Sequence, residues 1–243
     1  MANSQTKRMP RVFITGASSG LGLEFARQYA AEGWRVIATS RGGRAFNSLE
    51  ELVGDVVIRK LDITDDDQIK ALAGEFRHEA LDVLLNNAAI HGPRDEGASF
   101  GALDVAAWLK VLRVNAIAPM KVTEAFLPNV QMGGQKKIVF VSSRAGSIAE
   151  RGLLPHHQRG GPYTYRSSKA ALNAAAKSLA FDLAPRGISV ITLHPGWVRT
   201  EMGGTEAGLD QETSVAGMRR VISQSSVADS GVFRNHDGSV IPW

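Results

Sequence analysis

Apolar positions along the chain fall into short continuous runs rich in β-branched residues, separated by longer stretches in which apolar residues recur at helical spacing. The runs predict strands at 11–15 (RVFIT), 35–39, 55–61, 82–86 (DVLLN), 137–141 and 189–193, with a short last one near Val232 and Phe233. The intervening pattern predicts helices over 20–32 with Gly33 as the stop, over 65–79, from 104 towards 126, and over 163–183. Strands that are apolar throughout are buried on both faces, and strand–helix alternation makes neighbouring strands parallel. The expected fold is α/β: one doubly wound domain spanning 1–243, with a parallel seven-stranded sheet, helices on both faces and residues 1–10 flexible. Irregular stretches at 90–103, 144–162 and 201–213 follow strands. They fall at the carboxyl edge of the sheet, where such folds bind ligands.

Composition narrows the class. At 44% apolar and 21% charged residues, the 243-residue chain has enough apolar material for a sizeable core. The absence of cysteine removes disulfides, cysteine–zinc sites and thiol nucleophiles from consideration. No apolar run approaches the ~20 residues of a membrane helix, and 1–11 carries no signal-peptide h-region, so a cytoplasmic protein without membrane contact is expected. The net charge of +4 is spread thinly: basic residues never run longer than two and acids are interspersed. That reads as a mixed solvated surface rather than a nucleic-acid footprint.

Candidate chemistry begins at the first turn, Thr15-Gly16-Ala17-Ser18-Ser19-Gly20-Leu21-Gly22. Gly16 permits a tight turn, Gly20 lets backbone approach a pyrophosphate, and the helix N-terminus offers N–H groups and positive dipole. Gly22, Ala26 and Ala30 give that helix a smooth face towards the sheet. A plain strand-to-helix turn is the alternative. The second strand ends Ala38-Thr39-Ser40-Arg41, and no acid occurs between Glu32 and Glu50 to accept from a ribose 2′-OH. Arg41, helped by Arg44, is placed to pair with a 2′-phosphate, which favours NADP(H) while leaving NAD(H) open. A surface arginine in a turn is the other reading.

Tyr165 and Lys169 stand four apart in a predicted helix and so share a face. A phenol with pKa near 10 is a poor proton donor at neutral pH, and a neighbouring ammonium favours the phenolate. Ser142 and Ser143 follow strand five, where a hydroxyl can hold a substrate oxygen or simply cap a turn. Asn86-Asn87-Ala88-Ala89 closes strand four with small side chains that admit a flat ring, or makes an ordinary turn. Asn115 precedes Pro119 by four residues; proline lacks the N–H that the Asn115 carbonyl expects, so a kink there exposes a buried acceptor suited to a water. His194-Pro195-Gly196-Trp197-Val198-Arg199-Thr200 breaks away from strand six, with Thr200 able to bond a nicotinamide amide.

Taken in order from Val12 to Thr200, these segments resemble the short-chain dehydrogenase/reductase family. The glycine motif matches Thr15 through Gly22, and the N-N-A-G motif matches Asn86 through Ala89 with alanine as its last residue. The tetrad matches Asn115, Ser143, Tyr165 and Lys169, and the P-G turn matches Pro195-Gly196. The tail, Asp237-Gly238-Ser239-Val240-Ile241-Pro242-Trp243, is similar to the branch of C-factor and Sniffer carbonyl reductases. Two features depart from the wider pattern: a long interval between Ser143 and Tyr165, with extra loop at 150–161, and Ser19 where many NADP(H)-preferring members carry a base.

The resemblance implies a Rossmann domain and hydride exchange between nicotinamide and a carbonyl or alcohol substrate. It implies Tyr165 as acid/base, Ser143 on the carbonyl oxygen, Lys169 on the ribose and Asn115 holding a water. It further implies cofactor contacts from Gly16, Ser18, Ser19, Leu21, Arg41, Asp62, Ile63, Asn87, Ala88, Tyr165, Lys169, Pro195, Val198 and Thr200, and no metal. His156 and His157 read as exposed loop residues. Assembly as a homodimer or homotetramer is expected, through the alanine-rich stretch 170–180, which could equally face its own sheet. The rival reading from a different class is a cofactor-binding signalling or scaffold protein of the same fold with little turnover.

Overall fold

The computed structural model describes residues 8–42, 46–93, 100–153 and 161–243. Arg44, His156, His157, the first seven residues and parts of the stretches 90–103 and 144–162, all singled out above, lie outside the described residues.

Seven parallel strands form one sheet: β1 (Arg11–Ile14), β2 (Arg35–Ser40), β3 (Val56–Lys60), β4 (Val83–Asn86), β5 (Lys137–Val141), β6 (Ser189–His194) and β7 (Phe233–Asn235), ordered β3-β2-β1-β4-β5-β6-β7. The chain winds outward from β1 to β3 and then crosses back to β4, so the carboxyl ends of β1 and β4 flank the switch point where doubly wound sheets bind ligands. Alternation along each strand fills two cores. Phe13, Leu84, Ile138 and Phe140 face α5 (Ala118–Met132) and α6 (Tyr163–Leu183), where Phe126, Leu172 and Ala176 meet them. Val12, Ile14, Leu85, Val139 and Val141 face α1 (Gly20–Ala31) and α7 (Gln211–Gln224). Residues Ala176 and Ala180 are thus buried against their own sheet, the second of the two placements open to the alanine-rich stretch.

Three element boundaries differ from the sequence expectation. Helix α3 (Asp66–Glu75) stops four residues short of 79, because Asn129 Nδ2 takes the carbonyls of Phe76 and Glu79 at 2.6 and 2.8 Å and turns the chain there. The helix expected from 104 towards 126 is α4 (Val105–Leu112), a π-helical turn (Arg113–Ile117) and then α5, which ends at Met132. Helix α7 starts in the last three residues of the irregular stretch 201–213 and runs on through a span to which the pattern assigned no element: Asp210 caps it by accepting from the Thr213 N–H, and Val215, Met218, Val221 and Ile222 form its buried stripe. A one-turn helix, α2 (Asn47–Glu50), was also not anticipated. Among the described residues no helix is long and apolar enough to cross a membrane.

Candidate active site

The turn after β1 is built for close approach. Gly16 has φ +63°, and a Cβ there would stand 2.9 Å from both Cα and Cβ of Ala88. At Gly22 a Cβ would run into the Gly16 carbonyl oxygen and lie 2.6 Å from Asn87 Nδ2. Thr15 Oγ1 accepts the N–H groups of Asn87 and Ala88, and Asn87 Nδ2 donates to the carbonyls of Thr15 and Gly16. The loops after β1 and β4 are therefore one hydrogen-bonded unit. Ser19 precedes α1 in extended conformation without capping it through its side chain, and the first turn carries no acid. The N–H groups of that turn therefore have no side-chain acceptor of their own and point at the switch point, an arrangement suited to phosphate. Ser18 and Leu21 flank this turn half-buried, and Thr200 reaches it from the far side, its Cγ2 3.7 Å from where a Gly20 Cβ would be.

Past β2, exposed Arg41 lies near Asp62. The Thr64 hydroxyl and N–H bond the Asp62 carboxylate at 2.7 and 2.8 Å and, with the Arg41 charge, hold its pKa below the ordinary range. Ile63 beside it is buried in the core.

The serine pair separates cleanly. Ser142 is buried and its hydroxyl is spent on Asn173 Oδ1 at 2.6 Å. Ser143 is half-buried and caps a 3-10 turn, accepting from the Ala145 N–H. That turn sits directly on α6: a Cβ on Gly146 would be 2.7 Å from the Lys169 carbonyl carbon. Ser143 is thereby held against the segment carrying Tyr165 and Lys169. Lys169 is buried and donates from Nζ to the Val141 carbonyl at 2.9 Å, and burial pushes its pKa down to about 8. Its Nζ stands 5.9 Å from the centre of the Tyr165 ring.

Asn115 occupies the π-helical turn, where the Ala118 N–H reaches back five residues to the Arg113 carbonyl. The kink expected from Pro119 is thus a widened turn. What the sequence did not reveal is the use of the Asn115 side chain: Oδ1 accepts from the Ile90 N–H, and Nδ2 donates to the Ile90 carbonyl and Ser168 Oγ, at 2.8, 2.8 and 3.0 Å. This clamps the loop after β4 to α6. Two more residues escaped sequence reasoning. His91 stacks on Tyr165 with ring centres 4.7 Å apart and planes 13° from parallel, and Trp108 Nε1 donates to Ser167 Oγ at 2.7 Å. A lone histidine in a loop carries no spacing signal, and the tryptophan reads as an ordinary helix face.

Beyond β6, the Pro195 carbonyl accepts from Ser214 of α7, Val198 bridges to Leu209, and Thr200 Oγ1 accepts from the Gly203 N–H. Among the described residues no three histidine, aspartate or glutamate side chains gather in a metal-holding group.

Comparison with known proteins gives a consistent picture. A family model described as short chain dehydrogenase matches residues 10–208. A Myxococcus xanthus protein named C-signal is 41% identical over 175 residues, covering 72% of this chain and all of the relative. An NADPH-bound carbonyl reductase from chicken fatty liver superposes with a TM-score of 0.87 at 34% identity, and the carbonyl reductase Sniffer of D. melanogaster with 0.86 at 33%. Each of these two superpositions covers 97% of this chain and all of the other.

Proposed function

Because this chain belongs to the short-chain dehydrogenase family, we propose that it is an NADP(H)-dependent oxidoreductase exchanging a hydride with a small carbonyl or alcohol substrate, carbonyl reduction being the favoured direction. The observation that carries the reading is the Tyr165–Lys169 pair on one face of α6, with the Ser143 turn packed on the same stretch of helix.

The residues fit a dinucleotide. The N-terminus of α1 is left without a side-chain cap beside a turn in which added Cβ atoms at Gly16 and Gly22 would collide with neighbours, and both support a phosphate-binding role. Arg41, unopposed by any acid at the end of β2, supports preference for a 2′-phosphate. The bound nicotinamide supplies the hydride. Ser143 holds the substrate oxygen, and Tyr165 donates its phenolic proton to that oxygen as negative charge develops there. Lys169, with its pKa lowered to about 8 and so mostly charged at neutral pH, favours the phenolate left behind and would hold the ribose of a bound cofactor. Asn115 fixes the loop whose His91 stacks on Tyr165.

Exposed apolar side chains on the helices, among them Leu109, Ile117 and Phe181, support self-association as a homodimer or homotetramer.

The test is a fluorescence titration of wild type and Tyr165→Phe with NADPH and NADH, followed by cofactor oxidation against aldehydes, ketones and quinones. Tighter binding of NADPH, turnover by wild type and binding without turnover by Tyr165→Phe are expected. Cofactor binding by both proteins with no turnover by either would overturn the reading in favour of a scaffold.

A further inference from the structure

The imidazole stacked on Tyr165 belongs to no part of the mechanism derived so far, yet the fold holds it firmly. The residue before it, Ile90, is bonded at both its N–H and its carbonyl by the buried Asn115 side chain. The residue after it, Gly92, has φ +80°, and a Cβ there would stand 2.6 Å from Val111 Cγ2 and 3.3 Å from Thr164 Oγ1. His91 is therefore pinned on one side by hydrogen bonds and on the other by a glycine squeezed between α4 and α6. Its ring lies nearly parallel to the phenol at 4.7 Å, an offset stack in the range where aromatic pairs attract.

From this geometry we propose that His91 is a positioning residue for Tyr165: its ring fixes the plane of the phenol and shields one ring face from water, which sets both the aim and the ionisation of the hydroxyl. The inference rests on the assignment of Tyr165 as the acid. A phenol on a helix rotates about χ1 and χ2, and α6 by itself supplies no wall against the ring face. The stacked imidazole supplies that wall. The near-parallel stack at 4.7 Å acts by excluding water from that ring face. Removing it hydrates the phenolate and lowers the pKa of Tyr165.

The chain has three tyrosines, and burial pushes Tyr29 up to about 12. Ultraviolet difference titration at the tyrosinate band, with Tyr165→Phe subtracted, isolates Tyr165 and needs neither cofactor nor turnover. His91→Ala is expected to shift the Tyr165 midpoint down by about 0.5–1 pH unit. It is also expected to lower kcat about tenfold or more, with the Kd for NADPH held within about threefold. His91→Phe, which keeps the stack, restores both midpoint and kcat; His91→Asn, which keeps polarity without a ring, restores neither.

An unchanged midpoint and kcat in His91→Ala overturn the proposal. So does rescue by asparagine and not phenylalanine, which would assign the imidazole a hydrogen-bonding role. Should His91→Ala fail to fold, the phenylalanine and asparagine variants carry the same discrimination. If wild type turns over no carbonyl, the reductase reading fails on its own, and the midpoints still decide whether His91 governs the phenol.

Discussion

Replacing Asn115 by alanine separates two roles that the sequence cannot distinguish. A water held on the Asn115 main-chain carbonyl would be indifferent to the side chain. The structure instead gives that side chain three hydrogen bonds, two to the backbone of Ile90 and one to Ser168 Oγ, at a position only 1% exposed. Alanine strands the Ile90 N–H and carbonyl, each costing about 1–3 kcal/mol when left without a partner, and removes a third bond worth about 1 kcal/mol. Ser168 keeps its bond to the Tyr165 carbonyl, so the loss there stays at the low end. The sum is about 3–7 kcal/mol. In a domain of this size each kcal/mol moves Tm by about 2–4 °C, so the melting temperature should fall by about 6 °C at least. Scanning calorimetry with a parallel urea titration measures both quantities. Asn115→Asp, which keeps the acceptor for the Ile90 N–H but turns a carboxylate oxygen towards the Ile90 carbonyl, should lose at least as much. A drop below about 3 °C in the alanine variant would refute the clamp and leave Asn115 with the main-chain role alone.

Other outcomes follow from the same geometry. Lys169 gives up its proton near pH 8 in the fold against an ordinary 10.5, so between those values the unfolded chain binds more protons and stability rises with pH. Below pH 8 both states are charged and the fold bears the full desolvation cost; Lys169→Met should therefore be the more stable protein at pH 7, by up to about 3 kcal/mol, with the difference shrinking towards pH 10. Parallel urea midpoints for the two proteins across that range would contradict this. Arg41→Ala should weaken NADPH binding by about 10–100-fold and leave NADH nearly unchanged, since only the former carries the phosphate; equal losses in the two titrations would remove Arg41 from cofactor choice. In Gly22→Ala the new methyl meets the Gly16 carbonyl and Asn87 Nδ2, so a loss of about 1–3 kcal/mol and of cofactor affinity is expected by thermal shift with and without NADPH. A wild-type melting curve would show that the turn can relax.

How much was legible in advance divides along the range of the interactions. The strands, the order of the elements and the glycine turn were readable because their signals are local: a strand buried on both faces must be apolar along five or six consecutive residues, and a helix face repeats every three to four. Helix α7 carries a helical signal too, in Val215, Met218, Val221 and Ile222, yet the sequence reading placed no helix there. Tyr165 and Lys169 were paired from spacing alone, since four residues on a helix guarantee a shared face.

What only the tertiary structure decided lies in contacts between positions far apart in the chain. Asn115 bonds Ile90, 25 residues away, and Ser168, 53 away; Ser142 is taken by Asn173 at 31, while the candidate hydroxyl, Ser143, bonds only its own turn among the described contacts. Thr15 and Asn87 join two loops across 72 residues. Nothing in the local pattern around an asparagine or a histidine tells which distant backbone will come within 3 Å of it, because that depends on the strand order β3-β2-β1-β4-β5-β6-β7 and on how α4 and α6 pack beside the sheet. Residue types and their periods determined the elements and the chemistry available to them; the crossover from β3 back to β4 decided which of those groups meet.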